Sequence, residues 1–379
     1  MREIFEWLDR LGSIIESGQG NIELQLKRVS SPSPLDFDDS PIELIDSGQE
    51  AASFGRVPSR LSVLAWPDEA GSGQTLQGQA LAAQIGALLT LTTNRRIEVA
   101  AGDVTLKMEG QSPTTFLPSM LVLDRSLSGP IGNDVRGAFE GLLSRLYGMS
   151  ASDQDVIGAA IELHYASAIL FDLEPNAAYA LAVAGIERLS QAYGSSETQW
   201  SWWEEAPRLD AAFSAISLSE GQRAALRTEL LKDKHLRLRQ TFASYVTGML
   251  RDDFWTVEIN DFVPGIVMAS DGASSFAGMN ALGSIPITNL VPADEPTLRR
   301  RLLACYDSRS SYVHDGMGAP AVTSTSRQLV GQAAKRTDRI EYAGVRVMLR
   351  YLIDLEVERR GSLRTLPDIR LQHANPQHD

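Results

Sequence analysis

Two apolar stripes at helical spacing, over residues 153–171 and 175–193 and separated by one short turn, constrain this chain more than any other feature. Amphipathic helices this close in sequence bury their stripes by lying antiparallel. Pro175 suits the first turn of the second helix, where its missing N–H costs nothing. A further helix is expected within Ser219–Arg251, passing LLKDKH and continuing through Leu238, Phe242, Tyr245 and Met249. Helical periodicity returns at Pro296, runs through Leu298, Leu302, Leu303 and Tyr306, and should stop at Gly316. A last helix is expected over Arg327–Arg359, with Ile340, Val347, Met348, Tyr351 and Leu355 on its core face. Residues 151–362 therefore read as a mostly α-helical bundle, followed by a flexible polar tail, 363–379.

Residues 1–150 read differently, as an α+β N-terminal module. Ile4, Trp7, Leu8 and Leu11 have helical spacing, LSVLAWP (residues 61–67) reads as a strand, and residues 76–89 form a second helical stripe. RRIEVAAGDVTLKME (residues 95–109) alternates on both sides of Gly102-Asp103 and predicts a hairpin. A helix over Asp134–Met149 leads to a boundary near Ser150. The stretch from Thr256 to Pro296 is apolar but broken by Gly265, Gly272, Gly278 and Gly283, and reads as a long packed loop.

At 379 residues the chain has room for two or three domains, and 43% hydrophobic with 22% charged residues is an ordinary globular balance. A single cysteine, Cys305, rules out an internal disulfide and a thiolate pair for zinc. No histidine pair has metal-site spacing, so neither metal nor cofactor is expected. The first twenty residues lack an apolar run of signal-peptide length, and no run reaches the ~20 apolar residues that span a bilayer. A cytoplasmic protein with no membrane partner is the expectation. The net charge of −13 argues against a broad basic surface for nucleic acid. Two local basic clusters remain: Lys232, Lys234, Arg237 and Arg239, and Arg299, Arg300 and Arg301.

The chemistry concentrates in YDSRSSYVHDG, Tyr306–Gly316. Arginine holds a phosphate, and histidine moves a proton near neutral pH. Together they supply what metal-independent RNA cleavage needs: a base for the 2′-hydroxyl, an acid for the leaving 5′-oxygen, and positive charge on the phosphate. Arg309 and His314 stand five positions apart, so on an ideal helix their side chains diverge by about 140°. The offset closes if the last turn unwinds before Gly316, or if a symmetric dimer brings two copies of the pair into one cleft; the dimer is the favoured route. The bland reading is an Arg309 ion pair and a His314 that satisfies carbonyls at a helix C-terminus.

In its fuller context, LLACYDSRSSYVHDG, this stretch resembles the HEPN superfamily and, within it, the Apea-like HEPN domains. Those domains show a tyrosine, an arginine-serine pair, an aliphatic residue and a terminal histidine-glycine at the end of a late helix. Tyr306, Arg309, Ser310, Val313, His314 and Gly316 match, with Asp315 standing between the histidine and the glycine. The resemblance covers roughly residues 151–360 and implies a HEPN-like helical bundle, commonly a homodimer. It implies a ribonuclease site at Arg309 and His314, supported by Glu187, Ser310 and Tyr306, in a toxin or phage-defence effector that acts on RNA. Glu187, in YALAVAGIERLS, takes the place of an acidic residue often found there. Many members are instead noncatalytic dimerisation or binding modules. The N-terminal module would then sense a trigger or bind a regulatory protein.

Other constellations read as structural. His164, in an apolar stripe, is expected to be a hydrogen-bonded core histidine. His235 belongs to a solvated basic face more readily than to an RNA contact. The tryptophans of WSWWEE can stack bases, but adjacent Glu204 and Glu205 favour a packed loop. GSGQTLQGQ lacks the lysine and Ser/Thr of a phosphate-binding loop, and Ser308, Ser310 and Ser311 sit on no nucleophile elbow.

Overall fold

The computed structural model describes residues 1–17, 22–31, 42–46, 57–65, 76–99, 104–106, 114–116, 125–127, 129, 131, 134–195, 199–203, 205–232, 237–268, 274–315 and 338–366. The molecule is mostly helical. Its centre is the antiparallel pair α4 (Ala151–Leu170) and α5 (Pro175–Tyr193), as the two stripes require. The side-chain oxygen of Ser150 accepts from the Asp153 N–H at 3.2 Å and starts α4, while Pro175 occupies the first turn of α5.

Around α5 pack α8 (Leu238–Met249), α9 (Glu295–Asp315) and α10 (Tyr342–Arg360). Gly185 allows α5 and α10 to approach closely, because a Cβ there would lie 2.6 Å from a methyl group of Leu349. Phe171, just after α4, stacks on Tyr342 at 4.1 Å between ring centroids. Val183, Ile186, Leu189, Phe242, Leu302 and Met348 are fully buried in this core. Each such side chain contributes about 1.5–3 kcal/mol relative to exposure.

The earlier helices join the same core. Ile4, Trp7 and Leu8 of α1 (Arg2–Ser17) and Ile85, Leu88 and Leu89 of α2 (Leu76–Thr93) are buried, and both helices pack on α4. Beside α2 lies a four-stranded antiparallel sheet in the order β2-β3-β1-β4, made of β1 (Ile22–Ser31), β2 (Ile42–Asp46), β3 (Val57–Ala65) and β4 (Glu98–Val99). The expected strand at LSVLA is the second half of β3. α3 (Val135–Tyr147), capped by Asp134, ends as expected before Ser150.

Four expectations are corrected. Among the described residues of 95–109 the expected hairpin pairing is not present: β4 pairs with β1, whereas β5 (Val104–Leu106) pairs with β6 (Thr114–Phe116). The alternation was real, but both partners lay elsewhere in the chain. The glycine-rich stretch is not a loop but a long antiparallel hairpin, β7 (Glu258–Met268) and β8 (Ser274–Pro286). Its described glycines mark irregularities rather than breaks, and Gly272 lies outside the described residues. Gly265 lies at one register shift, and Gly283, with φ +158°, beside the other. The region expected as one helix is two, α7 (Glu220–Lys232) and α8, and α7 follows a shorter helix, α6 (Ala206–Ala215). The last helix begins at Tyr342 with Glu341 as its N-cap, so Ile340 precedes it; residues 327–337 lie outside the described residues.

Candidate functional site

α9 begins where the Asp294 carboxylate accepts from the Thr297 N–H at 3.0 Å. Leu298, Leu302 and Cys305 then bury one face against the bundle. Along its neighbouring face α9 runs antiparallel to α8. Arg299 Nη1 donates to Ser244 Oγ at 2.9 Å, the Phe242 and Tyr306 rings lie 5.7 Å apart, and Arg239 grips Asp307 with two bonds of 2.8 and 2.9 Å.

One turn further, Arg309 points into the bundle. Its Nη2 lies 3.2 Å from Glu187 Oε2 on α5, with side-chain exposure of 25% for the arginine and 7% for the glutamate. The carboxylate is divided between two sets of donors. Oε2 faces Arg309, while Oε1 accepts from Gln191 Nε2 at 3.0 Å and, more weakly, from the Tyr306 hydroxyl at 3.4 Å. Gln191 lies one helical turn beyond Glu187, so a single face of α5 supplies both the anion and its support. Burial, and then the Glu187 charge, push the Tyr306 hydroxyl up to about 12, so it stays protonated and can donate. The Nε of Arg309 is buried and makes no hydrogen bond.

His314 stands apart from this cluster. It is exposed in the last turn of α9, next to Val313, which is 56% exposed. The helix continues through Asp315, so the last turn does not unwind to swing His314 toward Arg309. Their directions keep the offset of about 140° that five helical positions impose. Ser310 is half-buried beside them, and Gly316 lies outside the described residues.

The basic residues expected to meet RNA have separate fates. Lys232 is exposed and ion-paired with Glu229 at 2.6 Å; Arg300 is exposed; Arg299 is spent on Ser244. Arg237 requires correction, because only 3% of it is exposed and its guanidinium donates to the carbonyl of Leu231. An arginine buried as a helix N-cap residue presents no charge to a phosphate. Lys234 and His235 lie outside the described residues.

Trp200 and Trp203 pack as a loop. Trp200 donates to Asp210 at 3.0 Å, and Trp203 is buried edge-on against it at 5.3 Å. His164 is a core residue, as expected, yet neither ring nitrogen has a hydrogen-bond partner, which corrects the second half of that expectation. Burial, reinforced by Arg346 and Arg350, holds its pKa well below the ordinary histidine value. It is a neutral imidazole.

Gln191 is the site residue that sequence reasoning missed. Its signal was present as the i,i+4 spacing from Glu187 on a helix whose other face is apolar. Among the described residues, no group of three or more His, Cys, Asp or Glu side chains could hold a metal ion, and no helix is long and apolar enough to cross a membrane. No family model, curated protein or solved structure matches the chain.

Proposed function

We propose that this chain is a metal-independent endoribonuclease of HEPN type, working as a toxin or phage-defence effector, with its site composed across a homodimer. The observation that carries this reading is the seating of Arg309: a motif arginine on a late helix of a helical bundle, held by Glu187 and still partly open to solvent. An ion pair through one nitrogen fixes the guanidinium plane while leaving other donors for a phosphate.

Arg309 binds the scissile phosphate and stabilises the charge that builds as the 2′-oxygen attacks phosphorus. His314 moves protons, from the 2′-hydroxyl and to the leaving 5′-oxygen. In one chain the two side chains diverge, so the His314 that completes a site belongs to the second copy, and the two-fold axis supplies two of each. Cleavage of the P–O5′ bond leaves a 2′,3′-cyclic phosphate and a 5′-hydroxyl. Of the basic residues expected to meet RNA, Lys232 and Arg300 are exposed and would steer it. The α+β portion formed by residues 1–150 senses a trigger or binds a regulatory partner in this reading.

One feature favours a second reading, a noncatalytic HEPN dimerisation module. Glu187 already neutralises Arg309, and His314 faces away from it. The two readings separate when a labelled RNA pool is incubated in EDTA with wild-type protein and with His314→Ala. The ribonuclease gives cyclic-phosphate ends that the variant does not produce. A folded wild-type dimer that leaves every RNA intact supports the module instead.

A further inference from the structure

Three arginines converge where α2 ends. Asn94, with a left-handed φ of 50°, follows the helix and turns both its oxygens to them. Its carbonyl accepts from Arg95 Nη1 at 2.8 Å and its Oδ1 from Arg346 Nη1 at 3.0 Å, while Arg350 Nε donates to the Leu91 carbonyl at 3.0 Å. Arg346 and Arg350 stand one turn apart on α10, so both reach the same end of α2. The three lie within each other's field: burial, and then the charges of Arg346 and Arg350, lower the pKa of Arg95 to about 10.

A helix C-terminus carries about half a negative charge, which a single cation answers. Capping α2 therefore explains one of these arginines and not the gathering of three. Behind them lies His164 of α4, sealed from solvent, with neither ring nitrogen in a hydrogen bond. Arg346 is sealed as well, whereas Arg95 is half-buried and Arg350 keeps 31% of its side chain in solvent. Asp354 stands 3.8 Å from Arg350 Nη2, too far for a hydrogen bond, and is itself half-exposed. It is a counter-charge that an incoming anion can replace.

We propose that this end of α2 is a binding site for a small phosphate-bearing anion, seated between the guanidinium groups of Arg95 and Arg350, with Arg346 as a fixed charge behind it. Guanidinium forks match the oxygens of phosphate in pairs, and cations arriving from two elements surround a tetrahedral dianion better than a flat carboxylate. Their bonds to the carbonyls of Asn94 and Leu91 hold both forks in place beforehand, so little side-chain freedom is lost on binding. None of these residues belongs to α9, and the proposal does not rest on the ribonuclease reading.

The test is calorimetric titration of the full chain with inorganic phosphate and, separately, with glycerol 3-phosphate, at constant ionic strength with chloride as the control anion. The imidazole NMR signal of His164, identified by its loss in His164→Leu, is followed in the same titrations. The expected result is one saturable phosphate site, a His164 signal that moves along the same curve, and binding at least about tenfold weaker in Arg350→Met. Asp354→Asn, which removes the competing carboxylate from a half-exposed position, should bind phosphate more tightly than wild type, an effect that a merely structural role would not produce. Binding of both ligands points to a phosphate group carried on a larger molecule, and binding of inorganic phosphate alone to the free ion. Phosphate that binds no better than chloride overturns the proposal. So does binding that Arg350→Met and Asp354→Asn leave unchanged, or a His164 signal that stays still as the site fills, because the anion then lies elsewhere.

Discussion

Two of the regions that enclose an arginine do so to different ends. At the junction of α2, α4 and α10, Arg96 and Arg346 are sealed from solvent. Arg96 is ion-paired with Asp172, with Glu98 at 3.5 Å, and Arg346 donates to Asn94 Oδ1 at 3.0 Å and Ser126 Oγ at 2.8 Å. At the junction of α5 and α9, Arg309 meets one carboxylate, keeps a quarter of its side chain in solvent and shares its helix with an exposed histidine. The first arrangement ties irregular segments to a helical core. The second leaves its cation partly open to solvent. Burial of an arginine therefore does not define a site; what sets Arg309 apart is that it stays partly open to solvent.

The sharpest separation is expected at His314. His314→Ala should lower RNA cleavage by about 10²- to 10⁴-fold, the usual worth of a positioned acid or base, while stability changes by no more than about 0.5 kcal/mol. Rates in EDTA beside a urea melt measure both. At the sealed junction the pattern reverses. Arg96→Met removes the sealed cation that Asp172 and Glu98 meet and should cost about 3–5 kcal/mol in urea unfolding, with normal cleavage by the molecules that remain folded. A stability change under about 1 kcal/mol at Arg96 would remove the contrast.

pH should also divide the two regions. His164, facing Arg346 and Arg350, is neutral when folded and titrates near 6.5 when unfolded, so the unfolded state binds the extra proton. Its contribution is fully present above pH about 6.5 and declines as pH falls below it, by up to about 1.4 kcal/mol per pH unit. Urea midpoints at neutral and mildly acidic pH should converge for His164→Leu relative to wild type. Of the two arginines, Arg309 is expected to matter less to stability. Arg309→Met should cost about 1 kcal/mol of stability, because Glu187 keeps its bonds from Gln191 and Tyr306, yet it should abolish cleavage.

The helical half of this fold was legible because each helix carries its own signal. The stripes of α4 and α5, Pro175 at a helix start and the periodicity of α9 are local, and local physics decides them. The strands were harder, because pairing is not local. The alternation around Gly102-Asp103 was visible, but nothing in it announced that β4 would join β1 while β5 joined β6. β7 and β8 were hidden by glycines, which break a helix and merely bulge a strand. Within the site, Arg309 and His314 stood out by residue chemistry, whereas the Glu187–Arg309 contact joins helices far apart in sequence and entered only through a family resemblance. Gln191 looked like any polar residue on a helix surface. Arg237 looked like a phosphate ligand until α8 placed it at a buried N-cap.

The most direct test mixes two inactive chains. Arg309→Ala and His314→Ala, each folded and each unable to cut RNA, are combined, allowed to exchange subunits, and assayed beside active wild type. A site composed across the two-fold axis regains one intact pair in every heterodimer, so cleavage should return to roughly a quarter of the wild-type rate, as half the dimers are mixed and each holds one working site. If the mixture stays as inactive as its components, Arg309 and His314 do not meet across a dimer, and the composite site is wrong.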